Sequence, residues 1–237
     1  MLILLLSAVF PVVVFLVVIY RKDLDREPPK LLRKCFIWGC ISSAPAIIIE
    51  LFLSNFNVFA SAFGHSFYEA FVVAAITEEG VKFLFLYLIV WRRREFDQYY
   101  DGIVYAVFVS LGFALVENII YVVDLGFGVA VMRAVLSVPG HGLFGVMMGY
   151  FFSLARFSPD KRGGFLWLSF LAPVFFHGLY DFFLIYMGEI ENALLILLLF
   201  AGFVVVMILL WRLGFKNIRK QLAKDQTQRY IGGSDWQ

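Results

Sequence analysis

Charge is what this chain has least of. Only 16% of its 237 residues are Asp, Glu, Lys or Arg, while 62% are hydrophobic. A soluble domain carries about 25% charge and about 45–50% apolar residues, so a soluble domain of useful size is excluded. Cysteine is nearly missing as well. Cys35 and Cys40 are the only two, too few for a disulfide framework and without metal-ligand spacing, and they read as ordinary buried thiols. The zinc-protease signature H-E-x-x-H does not occur. The apolar start, MLILLLSAVFPVVVFLVVIY, has no positive residues before it and no small-residue cleavage site after it, which favours a first transmembrane helix over a signal peptide.

Seven long apolar runs remain, at about 2–20, 35–54, 67–91, 101–123, 131–155, 164–187 and 192–211. Each is near or above the roughly 20 residues that span a bilayer as a helix. They are continuously apolar and not ten-residue alternations, which favours helices over barrel strands. The expectation is an all-α polytopic membrane helix bundle of about seven transmembrane helices. Residues 1–211 would form that domain and 212–237 a polar cytosolic tail, either lying on the anionic inner leaflet or solvated.

Lys and Arg set the orientation. Of the 20, 18 fall in four segments: 21–34, 91–100, 156–164 and the tail beyond Trp211. Seven crossings put all four on one side. The intervening loops, SNFNVFASAFGHS, DLGFGVA and GEIEN, contain none. The positive-inside rule places the N-terminus outside and the C-terminus in the cytosol.

The two cations left over, Lys82 and Arg133, lie in apolar segments, as do several acids. An ionised carboxylate at the membrane centre costs at least about 2.5–3.5 kcal/mol and marks a functional site by default. Glu78 and Glu79 open E-E-G-V-K at 78–82, where Lys82 can reach either acid at i,i+4 or i,i+3. A structural ion pair with Lys82 is the bland alternative. Glu117 and Asn118 follow in G-F-A-L-V-E-N, with an interhelical clamp as the alternative for Asn118. His141 lies in the fifth segment. His177 and Asp181 share one face of the sixth at i,i+4, where Asp181 could orient the imidazole. At 1.5 Å per residue, all of these fall in the middle or outer half of the bilayer, so one site wetted from the extracytoplasmic side could collect them. Arg133 could pair with Asp124 or hold a substrate carbonyl or carboxylate. His65 reads as a bland loop residue.

In order and spacing, E-E-G-V-K at 78–82, D-G-I-V-Y at 101–105, G-F-A-L-V-E-N at 112–118, His141, H-G-L-Y-D at 177–181 and D-R-E-P-P at 25–29 resemble the PrsW family of intramembrane proteases. That family is distantly related to the CAAX-prenyl-protease and bacteriocin-processing group. The resemblance runs from residue 1 to about 210. It implies a multi-pass protease of the bacterial plasma membrane that cleaves a single-pass membrane protein near its extracytoplasmic side, with site-1 cleavage of an anti-sigma factor as the family's known role. The lipid bilayer is the other partner, and no nucleic acid is expected.

Peptide hydrolysis then assigns Glu78 or Glu79 as the base for water. His141 and His177 would share that work or donate to the oxyanion. Glu117 would hold the network, with Asn118 as a second oxyanion donor and Asp181 behind His177. A metal-free glutamate mechanism, with no cofactor, is favoured. The metal version has zinc on His141, His177 and Glu117 with one open position. A proton- or metal-coupled transporter is the alternative from another class, because intramembrane Glu, His and Asp also build ion relays.

Overall fold

The computed structural model describes residues 2–233 as a helical bundle. The first helix, α1 (Leu2–Lys22), is joined by a short polar turn to α2 (Pro29–Ser54). Pro29 stands in the first turn of α2, where a missing N–H costs nothing. A continuous helical run follows: α3 (Ala62–Phe67), a π-helical segment (Tyr68–Ala75) and α4 (Ile76–Val90). Then come α5 (Tyr99–Leu125), a short α6 (Phe127–Val135), α7 (Ser137–Phe157), α8 (Arg162–Gly188) and α9 (Ala193–Gly233). No strand occurs among the described residues.

Among the described residues, six stretches are long and apolar enough to cross a membrane: α1, α2, α5, α6 with α7, α8, and α9. The remaining crossing is the α3–π–α4 run, which holds Glu69, Glu78, Glu79 and Lys82. Every 18-residue stretch of it holds at least three of these four charges, which sets it apart from the other six. Residues 124–130 read from sequence as a loop and 131–155 as one span; the structure instead sets off 127–135 as the separate helix α6. Gly126, at φ 85°, turns the chain from α5 into it, a left-handed conformation that glycine adopts without penalty.

The basic segments gather at one end of the bundle, as the charge distribution requires. Arg156 Nη1 donates to Trp91 O at 2.8 Å, and Arg229 Nη2 donates to Leu24 O at 3.2 Å. At the other end, His65 Nδ1 meets Glu189 Oε1 at 2.6 Å.

The basic tail is a direct continuation of the last span. Helix α9 crosses the 211/212 boundary without a break and reaches Gly233. It is held there by polar contacts. Asp225 accepts the Tyr99 and Tyr100 amides at 2.7 and 2.8 Å, satisfying orphan donors at the start of α5. Gln221 Nε2 donates to Tyr150 O at 3.1 Å. Residues 234–237 of the tail lie outside the described residues.

Helix α5 is the central element and is buried for most of its length. Glycines let its neighbours approach. A Cβ on Gly39 would collide with the Val109 carbonyl of α5, and one on Gly149 with the Gly102 carbonyl. Small residues at such contacts replace the hydrophobic drive that lipid removes. The packing brings α4, α5, α7 and α8 around a common interior.

Candidate active site

The site starts with helical spacing. In α4, Lys82 Nζ donates to Glu78 Oε2 at 2.9 Å and to Glu79 Oε1 at 2.8 Å. Lys82 and Glu79 are wholly buried, and Glu78 is 6% exposed. An unpaired charge here would be costly; three charges in hydrogen-bond contact offset much of one another's desolvation. The Lys82 ammonium also lies 4.1 Å from the Phe113 ring centroid, a cation–π contact from α5.

The neighbouring helices extend the chain of contacts in both directions. From α7, His141 presents Nδ1 to Lys82 Nζ at 3.2 Å and Nε2 to Glu117 Oε2 of α5 at 2.8 Å. Only a carboxylate faces Nε2 and only an ammonium faces Nδ1, so the bonding pattern assigns the Nε2–H tautomer. Arg133 of α6 closes this arm, with Nη2 at 3.0 Å from Glu117 Oε2. That contact is close enough for an ion pair but is not aligned as a hydrogen bond, and Nη2 has no hydrogen-bond acceptor. Arg133 does bond well through Nε, to Asn118 Oδ1 at 2.9 Å. Its partners are thus Glu117 and Asn118, and no ion pair to Asp124 forms.

On the other arm, His177 of α8 presents Nδ1 to Glu79 Oε1 at 2.9 Å and Nε2 to Asp181 Oδ2 at 3.0 Å. Each ring nitrogen faces a carboxylate: Nδ1 is hydrogen-bonded to Glu79, while Nε2 lies at ion-pair distance from Asp181 without hydrogen-bond alignment, an arrangement that suits an N–H at each nitrogen. The two imidazoles lie 5.5 Å apart, centroid to centroid, at 82°.

A polar relay therefore runs Asp181–His177–Glu79–Lys82–His141–Glu117–Arg133, with Glu78 on Lys82. Glu78, Glu117, His141, His177 and Asp181 line one cavity of about 770 Å³. Ser54, Asp124 and Ile185 line it too; they stand at the outer ends of α2, α5 and α8, the end opposite the basic segments. Asn118 does not line it. Its Nδ2 donates to Ala8 O at 2.9 Å, so the amide clamps α5 to α1 with both of its ends occupied.

Two local features aim these residues. The π-helical segment widens the turn immediately before Thr77, Glu78 and Glu79; such segments are rare and are frequent at functional sites. The histidines sit next to glycines that admit aromatic rings. A Cβ on Gly142 would lie 2.6 Å from Phe15, and one on Gly178 would overlap Phe71 of the π segment.

Glu50 of α2 belongs to the site and was missed from sequence. It lines the same cavity, and its Oε1 is buried with no hydrogen-bond donor. The signal was present, a lone acid in A-I-I-I-E-L-F-L, which is the same argument that selects Glu117.

Metal donors converge at a different trio from the one read in sequence. Ligand atoms of Glu78, Glu79 and His141 lie within 4.8 Å of one another; His141, His177 and Glu117 do not form such a group among the described residues. Two carboxylates and an imidazole suit zinc, and Glu79 Oε2 is a buried acceptor with no donor. Lys82 Nζ bonds to all three residues, so an ammonium and a metal ion would compete for the same donors.

Residues 27–211 match the model of the PrsW family, described as intramembrane metalloproteases. The chain is 41% identical to Protease PrsW of Geobacillus kaustophilus over 196 residues, covering 79% of this chain and 85% of that protein. It is 36% identical to Protease PrsW of Bacillus subtilis over 224 residues, covering 94% and 97%. The Clostridioides difficile Protease PrsW is also 36% identical over 224 residues, covering 92% and 90%. No solved structure matches.

Proposed function

This chain belongs to the PrsW family of intramembrane metalloproteases, and on that premise we propose that it hydrolyses a peptide bond of a single-pass membrane protein close to the extracytoplasmic surface. It is a multi-pass bacterial membrane peptidase; the substrate, the side of cleavage and the residue roles are the parts proposed. The family gives the transporter alternative no support.

The observation that carries the residue roles is the asymmetry of the two adjacent acids. Glu78 faces the cavity, while Glu79 lies wholly behind its wall. Glu78 is the base that takes a proton from water as the oxygen attacks the scissile carbonyl carbon. Glu79 is a positioning residue, holding Lys82 and His177. His177, with an N–H at each nitrogen, is the acid that protonates the leaving nitrogen as the C–N bond breaks, and Asp181 keeps its ring in place. Arg133, whose Nη2 has no hydrogen-bond acceptor, offers N–H groups at the wall where the oxyanion develops, and His141, whose one N–H is given to Glu117, ties that wall to Lys82. Donors fixed in a dry cavity are worth more than in water.

Glu78, Glu79 and His141 are the residues that would hold zinc, and with zinc bound Glu78 would be a ligand and not the base. A bound zinc supplies a Lewis acid for the carbonyl and lowers the pKa of a bound water to about 7. Lys82 then acts as the counter-charge that keeps the donors together when no metal occupies them.

A substrate helix must unwind to be cut, which frees backbone N–H groups that find no water in the bilayer. Glu50, an acceptor without a donor, is suited to receive one of them. Site-1 cleavage of an anti-sigma factor is proposed as the biological reaction, supported by the family resemblance. The test is mass spectrometry of the products made from a single-pass anti-sigma factor co-reconstituted with the enzyme. New termini in the outer half of the substrate's span or just beyond it are expected. Termini on the cytosolic side would overturn the assignment.

A further inference from the structure

Two of the sequence motifs take no part in the membrane site, yet they meet at the basic end of the bundle. Glu27, from D-R-E-P-P, accepts a hydrogen bond from the Tyr105 hydroxyl, from D-G-I-V-Y. Asp101, from the same second motif, is fully buried, as are Glu27 at 4% and Asp23 at 7% exposure. One carboxylate oxygen from each of Asp23, Glu27 and Asp101 lies within 4.8 Å of the other two.

The three acids lack counter-charges. The segment 21–34 alone holds six Lys and Arg, and yet among the described residues no Lys or Arg nitrogen comes within 4.0 Å of any of the three. Backbone amides use only part of their capacity. Asp101 Oδ2 accepts from Asp97 N and Gln98 N at 3.1 and 2.6 Å, and Asp23 accepts weakly from Asp25 N and Glu27 N, each at 3.4 Å. Asp101 Oδ1 is buried with no donor at all. Carboxylates are acceptors only, so three of them turned together need something positive between them. The donors are all oxygen, the set preferred by hard cations and not by zinc or copper. Asp25 and Asp97 stand exposed nearby, Asp25 at 3.8 Å from Arg229.

We propose that Asp23, Glu27 and Asp101 form a binding site for a hard divalent cation, Mg²⁺ or Ca²⁺, at the cytosolic end, which pins the α1–α2 turn to the start of α5. This site is separate from the proteolytic one and does not depend on how that one works. Protons compete for it. Binding is therefore measured at alkaline pH.

The experiment uses the purified full chain in detergent at pH 8, with Tb³⁺ as the probe, excited through the adjacent Tyr100 and Tyr105. Wild type is expected to give a saturable signal of one ion that excess Ca²⁺ or Mg²⁺ displaces. Asp101→Asn and Glu27→Gln should each weaken it at least about tenfold, the loss expected when about 1.4 kcal/mol of binding goes. Thermal melting covers the case of a misfolded variant. Ca²⁺ or Mg²⁺ should raise the wild-type Tm, while the neutral variants melt no lower than ion-free wild type and show no ion-dependent shift. No saturable wild-type signal would overturn the proposal in favour of a shared proton. A signal that both variants keep would overturn it by placing the ion elsewhere, and an ion-dependent Tm shift retained in the variants would do the same.

Discussion

Lys82 is the residue on which the site's electrostatics turn. It is the buried cation that touches Glu78, Glu79 and His141 together. Lys82→Ala leaves buried carboxylates facing each other, and breaking a buried pair in this way costs about 3–5 kcal/mol. Lys82→Ala should therefore melt far below wild type in detergent, and added zinc should recover part of that loss by supplying the missing charge. Glu78→Gln separates chemistry from folding. Lys82 keeps its bond to Glu79, so the variant should insert and melt near wild type while hydrolysis falls by about 100- to 10,000-fold, the range of a lost general base. Wild-type turnover in Glu78→Gln would move the base to Glu79. The polar residues were legible in sequence because a charge in an apolar run has no bland neighbours to hide among. Glu50 obeys that rule too but stands alone near the end of its run, with no acid, base or histidine at i±3 or i±4 to mark it. The pairing of Arg133 with Glu117 was not legible, since it depends on α6 folding back towards α5.

At the scale of elements, the site is set by how closely α8 approaches the π-helical segment. Gly178 makes that approach, and any Cβ there overlaps Phe71. Gly178→Ala should cost about 1–3 kcal/mol through overpacking and, by shifting His177, should lower kcat more than it raises KM. Gly80→Ala is the control. A Cβ there meets only Phe170 at 3.5 Å, an ordinary contact, so near-normal stability and activity are expected. Equal damage from both substitutions would mean that α8 is not seated as described. The seven apolar segments were plain in sequence, with the starts of α2 and α7 each displaced by six residues. The π-helical turn was not, because its wider winding leaves no apolar period of its own. The length of α9 was hidden for another reason. Its cytosolic half is polar and is held by contacts such as Asp225 with the start of α5, which are distant in sequence.

For the whole molecule, orientation rests on the agreement between 18 clustered Lys and Arg and the gathering of their segments at one end of the bundle. Single cysteines in a cysteine-free background test it. One placed at Glu191 should react with an impermeant thiol reagent in intact cells, and one at Arg94 only after permeabilisation. The reverse pattern would turn the cavity to the cytosol. The same arrangement gives the chain two polar centres at opposite ends, the cavity lined by Glu78 and His141 and the acidic cluster of Asp23, Glu27 and Asp101 at the basic end.

The central claim is that the relay through Glu78, Glu79, His141 and His177 is a proteolytic site. The most direct measurement is cleavage of a reconstituted single-pass substrate by wild type, Glu78→Gln and His177→Ala, each with a zinc chelator and after zinc is restored. The account predicts cleavage by wild type and loss in both variants; wild-type loss under chelator that zinc reverses would make Glu78 a metal ligand, and cleavage kept under chelator would leave it as the base. Wild-type cleavage that survives in both variants would contradict it.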